Sequence, residues 1–154
     1  MYRNQYGPPI TTLTPFPLPE TKTGLIDSSL TVVKGTGTDF TEEDIRKGDF
    51  LWNQVQGELR KIVGKSYSSE ILNIDSPFTT DLAGEPLVIV KANQIKSVSL
   101  SNIGGAAGTV DGEVIAILQT LSFGRNESGT GGDEYIDPVI INGTGTSIQI
   151  LKTK

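Results

Sequence analysis

Alternating apolar and polar residues, interrupted by glycine and proline, make up most of the chain after residue 24. In the segment IKSVSLSN, the alternation places Val98 and Leu100 on one face of a strand and Ser97, Ser99 and Ser101 on the other. One face is therefore predicted to be buried and the other to face water. Eighteen glycines and eight prolines divide the sequence into pieces of strand length. We predict an all-β fold built from small β-barrel or sandwich modules.

Residues 25–93 are predicted to form a first β module. SSLTVVK predicts a strand, and GTGTDFTEEDIRKGD then predicts a glycine turn, an N-cap at Thr41, one helical turn and a stop at Gly48. Gln56 and Gly57 predict a tight hairpin between DFLWNQV and ELRKIVGK, and SEILNID and PLVIVKA predict two further strands. Such a set of strands fits a small curled sheet or barrel. The single tryptophan, Trp52, is predicted to pack in its core, with an exposed position at an interface as the alternative.

Residues 94–154 are predicted to form a second β module. Asp111 and Gly112 predict a hairpin between TV and EVIAILQTLSF, and Asn142 and Gly143 predict a turn before SIQILK. Between these strands, GRNESGTGGDE predicts a glycine-rich loop that begins at Gly124. The pattern leaves open whether the two modules share one core.

Residues 1–24 are predicted to form an extended arm. Their prolines fix φ and remove backbone donors, which excludes a helix and a central strand. Six apolar side chains of this arm are predicted to contact a partner chain: Tyr2, Tyr6, Ile10, Leu13, Phe16 and Leu18. The few charges in the arm predict binding that salt barely weakens. Phe16, as an anchor, is expected to contribute roughly 1 to 3 kcal/mol to assembly.

The composition excludes several kinds of active site. The chain has no cysteine and no histidine, so disulfides, thiolate metal sites and histidine-based catalytic triads are excluded. A net charge of -5 and scattered basic residues argue against nucleic-acid binding. The sequence shows no signal-peptide pattern and no apolar run as long as a membrane span. We expect a protein made in the cytoplasm, with no cofactor, no nucleic-acid partner and no membrane association.

Two acidic clusters are the remaining candidates for chemistry: Glu42, Glu43 and Asp44, and Asp133, Glu134 and Asp137. Carboxylates are ligands that calcium prefers, and carboxylate pairs also catalyse glycoside hydrolysis. Stabilisation of a helix dipole explains the first cluster, and the second lacks a repeated calcium-binding frame. KGTGTDF and NGTGTSI lack the lysine of a phosphate-binding loop and are assigned to β-turns. We predict no metal site and no catalytic residue, with an ion or a glycan at residues 124–133 as the alternative.

Two parts of the sequence resemble phage virion proteins. LTVVKGTGTDFTEEDIRKGDFLW, with GELRKIVG and SSEILNIDSPF after it, resembles a virion module with a GTGT turn, an F-T-x-x-D-I-x-x-G-D segment, a hairpin and an I-D-S-P-F strand end. VSLSNIGGAAGTVDGE and YIDPVIINGTGTSIQI are similar to β-sandwich pieces of phage head-decoration, head-fibre and tail proteins. The resemblance implies a structural role in a virion, with the arm laid across neighbouring subunits.

We therefore expect a non-enzymatic structural component of a phage particle. The specific hypothesis is an auxiliary or decoration capsid protein that binds capsid or connector subunits, forms a homo-oligomer and is located in the virion. A neck, tail or fibre-attachment protein is the alternative within the same class. A carbohydrate-binding module is the alternative from another class.

Overall fold

The computed structural model describes residues 7–29, 32–36, 45–65, 71–79, 85–124 and 135–153. Within these ranges the chain forms antiparallel sheets and no helix, so the predicted all-β class is confirmed. In chain order the strands are β1 (Leu13–Phe16), β2 (Glu20–Ser29), β3 (Val32–Thr36), β4 (Phe50–Asn53), β5 (Glu58–Lys65), β6 (Ile71–Ile74), β7 (Glu85–Val90), β8 (Ser97–Asn102), β9 (Gly108–Val110), β10 (Glu113–Ile115), β11 (Thr120–Gly124), β12 (Val139–Asn142) and β13 (Ile148–Thr153).

The chain divides into two compact units, each with its own core. Residues 18–91 form one, here called the six-stranded unit, and residues 7–17 together with 92–153 form the other, the sandwich unit. The predicted module boundary at residue 93 lies two positions beyond this division. At the amino terminus the structure differs from the prediction, because the division falls after residue 17 and β2 begins at Glu20.

In the six-stranded unit, every strand pairs antiparallel with two others. The order β2-β3-β6-β5-β4-β7 returns to β2 and closes the sheet into a barrel. Its core consists of Ile45, Leu51, Ile62, Leu72, Ile74, Phe78 and Ile89. Trp52 in β4 is buried, so it is not the exposed residue of the alternative prediction, but it lies outside this core cluster. The predicted strand SSLTVVK is divided between β2 and β3, and the hairpin after β4 has a four-residue loop in which Gly57 has φ 67°.

Residues 46–49 of the D-I-x-x-G-D segment form a turn that precedes β4. The buried Asp49 accepts a hydrogen bond from Arg46 N at Oδ2 (2.9 Å), and its own N–H donates to Arg46 O at 3.0 Å. Gly48 has φ 101°, a conformation that glycine adopts without steric cost. Lys91 Nζ lies 3.3 Å from Asp49 Oδ2 and neutralises the carboxylate. The predicted N-cap at Thr41 lies outside the described residues, and residues 46–49 form a turn rather than a helix.

The I-D-S-P-F residues join the segment after β6 to β5 by hydrogen bonds. Asp75 accepts a hydrogen bond from Lys61 N at Oδ1 (3.0 Å), and Asp75 N donates to Lys61 O at 2.9 Å. Arg60 Nε donates to Pro77 O at 2.9 Å, and its guanidinium carbon lies 5.3 Å from the centroid of the Phe78 ring. Asp49, Asp75, Pro77 and Phe78, which belong to the stretch that resembles virion proteins, therefore have structural roles in this unit.

Glu58 makes the stability of the six-stranded unit depend on pH. Burial raises the pKa of Glu58, but hydrogen bonds from Thr79 and the nearby Arg60 guanidinium outweigh burial and hold that pKa below its ordinary value. The ionised carboxylate therefore stabilises the fold above the ordinary glutamate pKa, and this contribution is lost as pH falls through the lowered value.

Glu58→Gln is expected to lower the free energy of unfolding at neutral pH by less than about 1 kcal/mol, because the network is partly exposed. The difference from wild type should shrink on acidification, as measured by urea unfolding across pH. Glu113→Gln, at an exposed position of β10, controls for the loss of one negative charge. If the difference in unfolding free energy between Glu58→Gln and wild type stays constant into the acid range, the pKa of Glu58 is not lowered in the folded protein.

The sandwich unit consists of a four-stranded sheet, β1-β12-β9-β10, and a three-stranded sheet, β11-β8-β13. Both sheets contribute to one core, which contains Ile10, Ile95, Val98, Leu100, Val110, Ile115, Val139, Ile141, Ile148 and Ile150. Val98 and Leu100 are buried, as the alternation in β8 predicts. Ser101 was assigned to the solvent-facing side and is instead buried. Its hydroxyl accepts a hydrogen bond from Thr120 Oγ1 at 3.2 Å, near the end of the sheet.

The turns of the sandwich unit agree with the sequence only in part. The Asp111–Gly112 hairpin is confirmed, with φ 49° and 81° at the two residues. The turn predicted at Asn142 and Gly143 extends over residues 143–147, and its positive φ, 79°, is at Gly145. The predicted strand EVIAILQTLSF is interrupted after Ile115 by a turn that separates β10 from β11.

Residues 7–17 of the predicted arm are folded onto the sandwich unit. Ile10 exchanges two backbone hydrogen bonds with Ile148, at 2.8 and 2.9 Å, and β1 pairs with β12. Because β1 is an edge strand, it accommodates Pro15, which lacks an N–H group. Ile10 is buried, and Phe16 packs against the core. β1 is an edge strand, but residues 20–24 of the predicted arm belong to β2, which pairs with both β3 and β7, so the predicted exclusion of a central strand is wrong there. Residues 7–17 are a structural part of the sandwich unit.

Candidate interaction surface

The turn between β10 and β11 exposes two large apolar side chains. Gln119 N donates to Ala116 O at 3.0 Å, and Ala116 N donates to Gln119 Oε1 at 2.7 Å, which closes the turn. Ile117 and Leu118 lie between them. Leu118 is 81% exposed and has φ 61°, at a turn position that normally favours glycine or asparagine. A strained, exposed leucine stabilises neither the backbone nor the core, and this makes the turn a candidate functional site.

Ile103 lies beside this turn at the end of β8. Leu118 N donates to the carbonyl of Asn102 at 3.0 Å, and this bond brings Leu118 next to Ile103. Ile103 is 50% exposed and Ile117 53%. These three side chains, Ile103, Ile117 and Leu118, are called the apolar tip below. Neighbouring exposed apolar residues of this kind are typical of an interaction surface, whereas single ones are common on any protein.

Asn102 holds the loops beneath the apolar tip in place. Its side chain is fully buried and uses all four of its hydrogen-bonding positions. Nδ2 donates to Ala106 O at 2.7 Å and to Ile115 O at 2.9 Å, while Oδ1 accepts from Gly104 N at 3.0 Å and from Thr146 Oγ1 at 2.8 Å. A saturated buried network of this kind fixes the positions of the loops that it joins.

Gly104 allows two of these loops to approach closely. A Cβ atom at this position would overlap Thr146 Oγ1 and Ser147 N. Beside it, Ile103 N donates to Ser147 O at 2.9 Å. The apolar tip therefore has little freedom to change its backbone, which lowers the entropy that a partner must remove on binding.

The strands that lead to the apolar tip carry little charge. Between Ser97 and Gly124 the only ionisable side chains are Asp111 and Glu113, both in the hairpin of the four-stranded sheet. Burial raises the pKa of Asp111, against the effect of the hydrogen bond that its Oδ1 accepts from Ile140 N at 2.6 Å. The Asp111 carboxylate therefore has a hydrogen-bond partner within its own sheet. The apolar tip itself can contact a partner only through apolar side chains.

The structure does not bring the six predicted arm residues together into one surface. Tyr2 and Tyr6 lie outside the described residues, and the side chains of Ile10 and Phe16 face the core of their own chain. Leu13 and Leu18 are exposed but belong to different units.

The predicted acidic clusters fall mostly outside the described ranges. Only Asp137 of the two clusters is described, and it is exposed, while residues 125–134 of the glycine-rich loop are not described. Within the ranges that the structure covers, no group of three or more histidine, cysteine, aspartate or glutamate side chains could hold a metal ion. No helix in those ranges is long and apolar enough to cross a membrane.

The apolar tip was missed from the sequence because Ile117 and Leu118 were assigned to the strand EVIAILQTLSF. The run VIAIL offers five apolar residues in succession, which is a departure from strict alternation. That break in the period was the available signal for a turn with exposed apolar residues.

No family model, curated protein or solved structure matches the chain. The resemblance to virion proteins therefore rests on the sequence motifs alone. The functional proposal below rests on the geometry of the apolar tip.

Proposed function

We propose that the protein is a non-enzymatic structural subunit that binds another protein chain through the apolar tip. The observation that carries this proposal is Leu118, which combines high exposure with a left-handed backbone on a rigid support. Burying a leucine side chain contributes about 1.5 to 3 kcal/mol, enough for one residue to act as an anchor.

The assembly that we propose is a phage particle, in which the chain serves as an auxiliary or decoration capsid protein. The sequence motifs that resemble those of virion proteins and the all-β fold support this choice. Copy number distinguishes the alternative within the class: hundreds of copies per particle indicate the shell, and a dozen or fewer indicate the neck or tail.

Leu118→Gly is expected to separate binding from folding. Glycine adopts positive φ without strain, so the relief of strain offsets its greater freedom in the unfolded chain, and stability should stay within about 1 kcal/mol of wild type. Loss of the side chain should weaken incorporation into particles by roughly tenfold or more. Thermal unfolding and competition between wild-type and variant chains during particle assembly measure the two effects.

Val55→Ser is the matched control for this experiment. Val55 is an exposed apolar residue in the hairpin loop of the six-stranded unit. Its replacement should change neither stability nor incorporation. Equal incorporation of Leu118→Gly and wild-type chains would show that the apolar tip is not the binding surface.

A further inference from the structure

The sandwich unit protects three of its four sheet edges. Proline interrupts β1 at Pro15, and the register of β13 shifts between Ile150 and Lys152. The segment at Ile10 also covers β13 through its bridge to Ile148. At the second edge of the four-stranded sheet, β10 is only three residues long and begins with Glu113. Proline, bulges, short length and charge are the means by which natural sheets prevent pairing with other chains.

The fourth edge, β11, has none of these protections. Its sequence, TLSFG, contains no charge and no proline, and it pairs with β8 over five residues without a register shift. No strand in the described part of the chain lies on its other side. An uncharged, regular edge strand is a template for pairing with another strand.

The hydrogen-bonding pattern shows which groups are available on this edge. Asn102 N donates to Gln119 O at 2.9 Å, which gives these two residues the orientation of a hydrogen-bonded pair beside β11, although Gln119 N donates to Ala116 O instead of Asn102 O. In an antiparallel ladder such pairs alternate with non-hydrogen-bonded ones. Thr120 and Ser122 therefore direct their backbone N–H and C=O groups away from β8. The short distance of 2.8 Å between the hydroxyls of Ser99 and Ser122 agrees with a non-hydrogen-bonded pair.

We propose that β11 pairs antiparallel with β11 of a second copy of this chain, with the two-fold axis at Ser122. In this register, Ser122 lies opposite Ser122 of the second copy, and Leu121 lies opposite Phe123. Leu121 and Phe123 are half-buried and pack against the sandwich core. Pairing them extends this apolar face across both copies, while Thr120 and Ser122 stay on the polar face.

Charge favours a second copy as the occupant of this edge. At a net charge of -5, two copies repel each other over much of their surface. The strands β8 and β11 carry no ionisable side chain, so this is a surface where two copies can meet without opposed like charges. The pairing uses a different surface from the apolar tip and does not depend on the function proposed for it.

Replacement of Ser122 by residues of either charge tests the pairing. Wild-type chains are expected to sediment as dimers at micromolar concentration. Ser122→Lys and Ser122→Glu should each shift the chain to monomer by at least tenfold in Kd, because like charges would face each other across the axis. An equimolar mixture of the two variants should recover the dimer. Thr144→Lys, in an exposed turn, should dimerise like wild type.

A cysteine at the axis gives a second measurement, which the lack of native cysteine makes simple to interpret. Ser122→Cys is expected to form a disulfide-linked dimer on mild oxidation, and Thr144→Cys is not. A monomeric wild-type chain, a dimer that both charged variants leave intact, or equal cross-linking at the two positions would overturn the proposal. Binding of β11 only to a strand from a different protein would overturn it as well.

Discussion

Asn102→Ala is expected to lower the free energy of unfolding of the sandwich unit by about 3 to 5 kcal/mol, since each buried polar group left unpaired costs roughly 1 to 3 kcal/mol. The substitution removes the partners of Ala106 O, Ile115 O, Gly104 N and Thr146 Oγ1 together. Water entering the vacated space would satisfy some of these groups, so the four costs do not add in full. Urea unfolding, with hydrogen exchange at the amides of β8, measures the loss.

Asn142→Ala is the matched control, because it also removes an asparagine that stabilises a turn. Asn142 Oδ1 accepts one hydrogen bond, from Thr144 N at 3.0 Å, in an exposed turn. Its loss should cost no more than about 1 kcal/mol. If Asn102→Ala proves no more destabilising than Asn142→Ala, the loops beneath the apolar tip are held by something other than the Asn102 side chain.

Local patterns predicted the strands and turns that depend on neighbouring residues. Alternation placed Val98 and Leu100 in the core, and Asp111–Gly112 supplied the positive φ of a two-residue hairpin. Both features are encoded within a few residues. The all-β class follows from the same short-range signals, because glycine and proline end each strand soon after it begins.

Features that depend on distant contacts were not predictable in the same way. Ser101 is buried, and its hydroxyl contacts Thr120 Oγ1 and Gln119 O, which lie 19 and 18 positions later in the chain. Residues 7–16 pair with strands more than 120 residues later in the chain, so no local pattern reveals their site. The apolar content of that segment did indicate correctly that it needs a surface to cover, and residues 92–153 provide that surface.

The first stretch that resembles virion proteins lies in the six-stranded unit, whereas Ile103 of the apolar tip lies within the second. In the first stretch, Asp49 accepts from Arg46 N in the turn before β4, and Asp75 accepts from Lys61 N in β5. Selection for a stable fold alone would preserve such residues. The apolar tip is in the sandwich unit, where Leu118 carries backbone strain that glycine at the same turn position would avoid. Variants of the tip therefore test function more directly than variants of Asp49 or Asp75.

Replacement of Phe16 and Leu18 should distinguish folding from binding within the predicted arm. Phe16 packs against the sandwich core, so Phe16→Ala is expected to lower the free energy of unfolding by about 1 to 3 kcal/mol, less than for a fully buried phenylalanine. Leu18, two residues later, is 63% exposed, and Leu18→Ala should change stability by less than about 0.5 kcal/mol. Both substitutions remove a large apolar side chain, which makes them a matched pair.

The same two variants test how the arm contributes to assembly. If Leu18 contacts a partner, Leu18→Ala lowers incorporation into particles while the unfolding temperature stays at the wild-type value, and added salt barely changes the loss because the contact is apolar. Phe16→Ala should lower incorporation only as far as it unfolds the sandwich unit. Hydrogen exchange at the amides of β12, which pairs with β1, reports that unfolding directly. Wild-type protection of β12 in Phe16→Ala would mean that Phe16 does not hold β1 against the sandwich, and that its side chain is available to a partner.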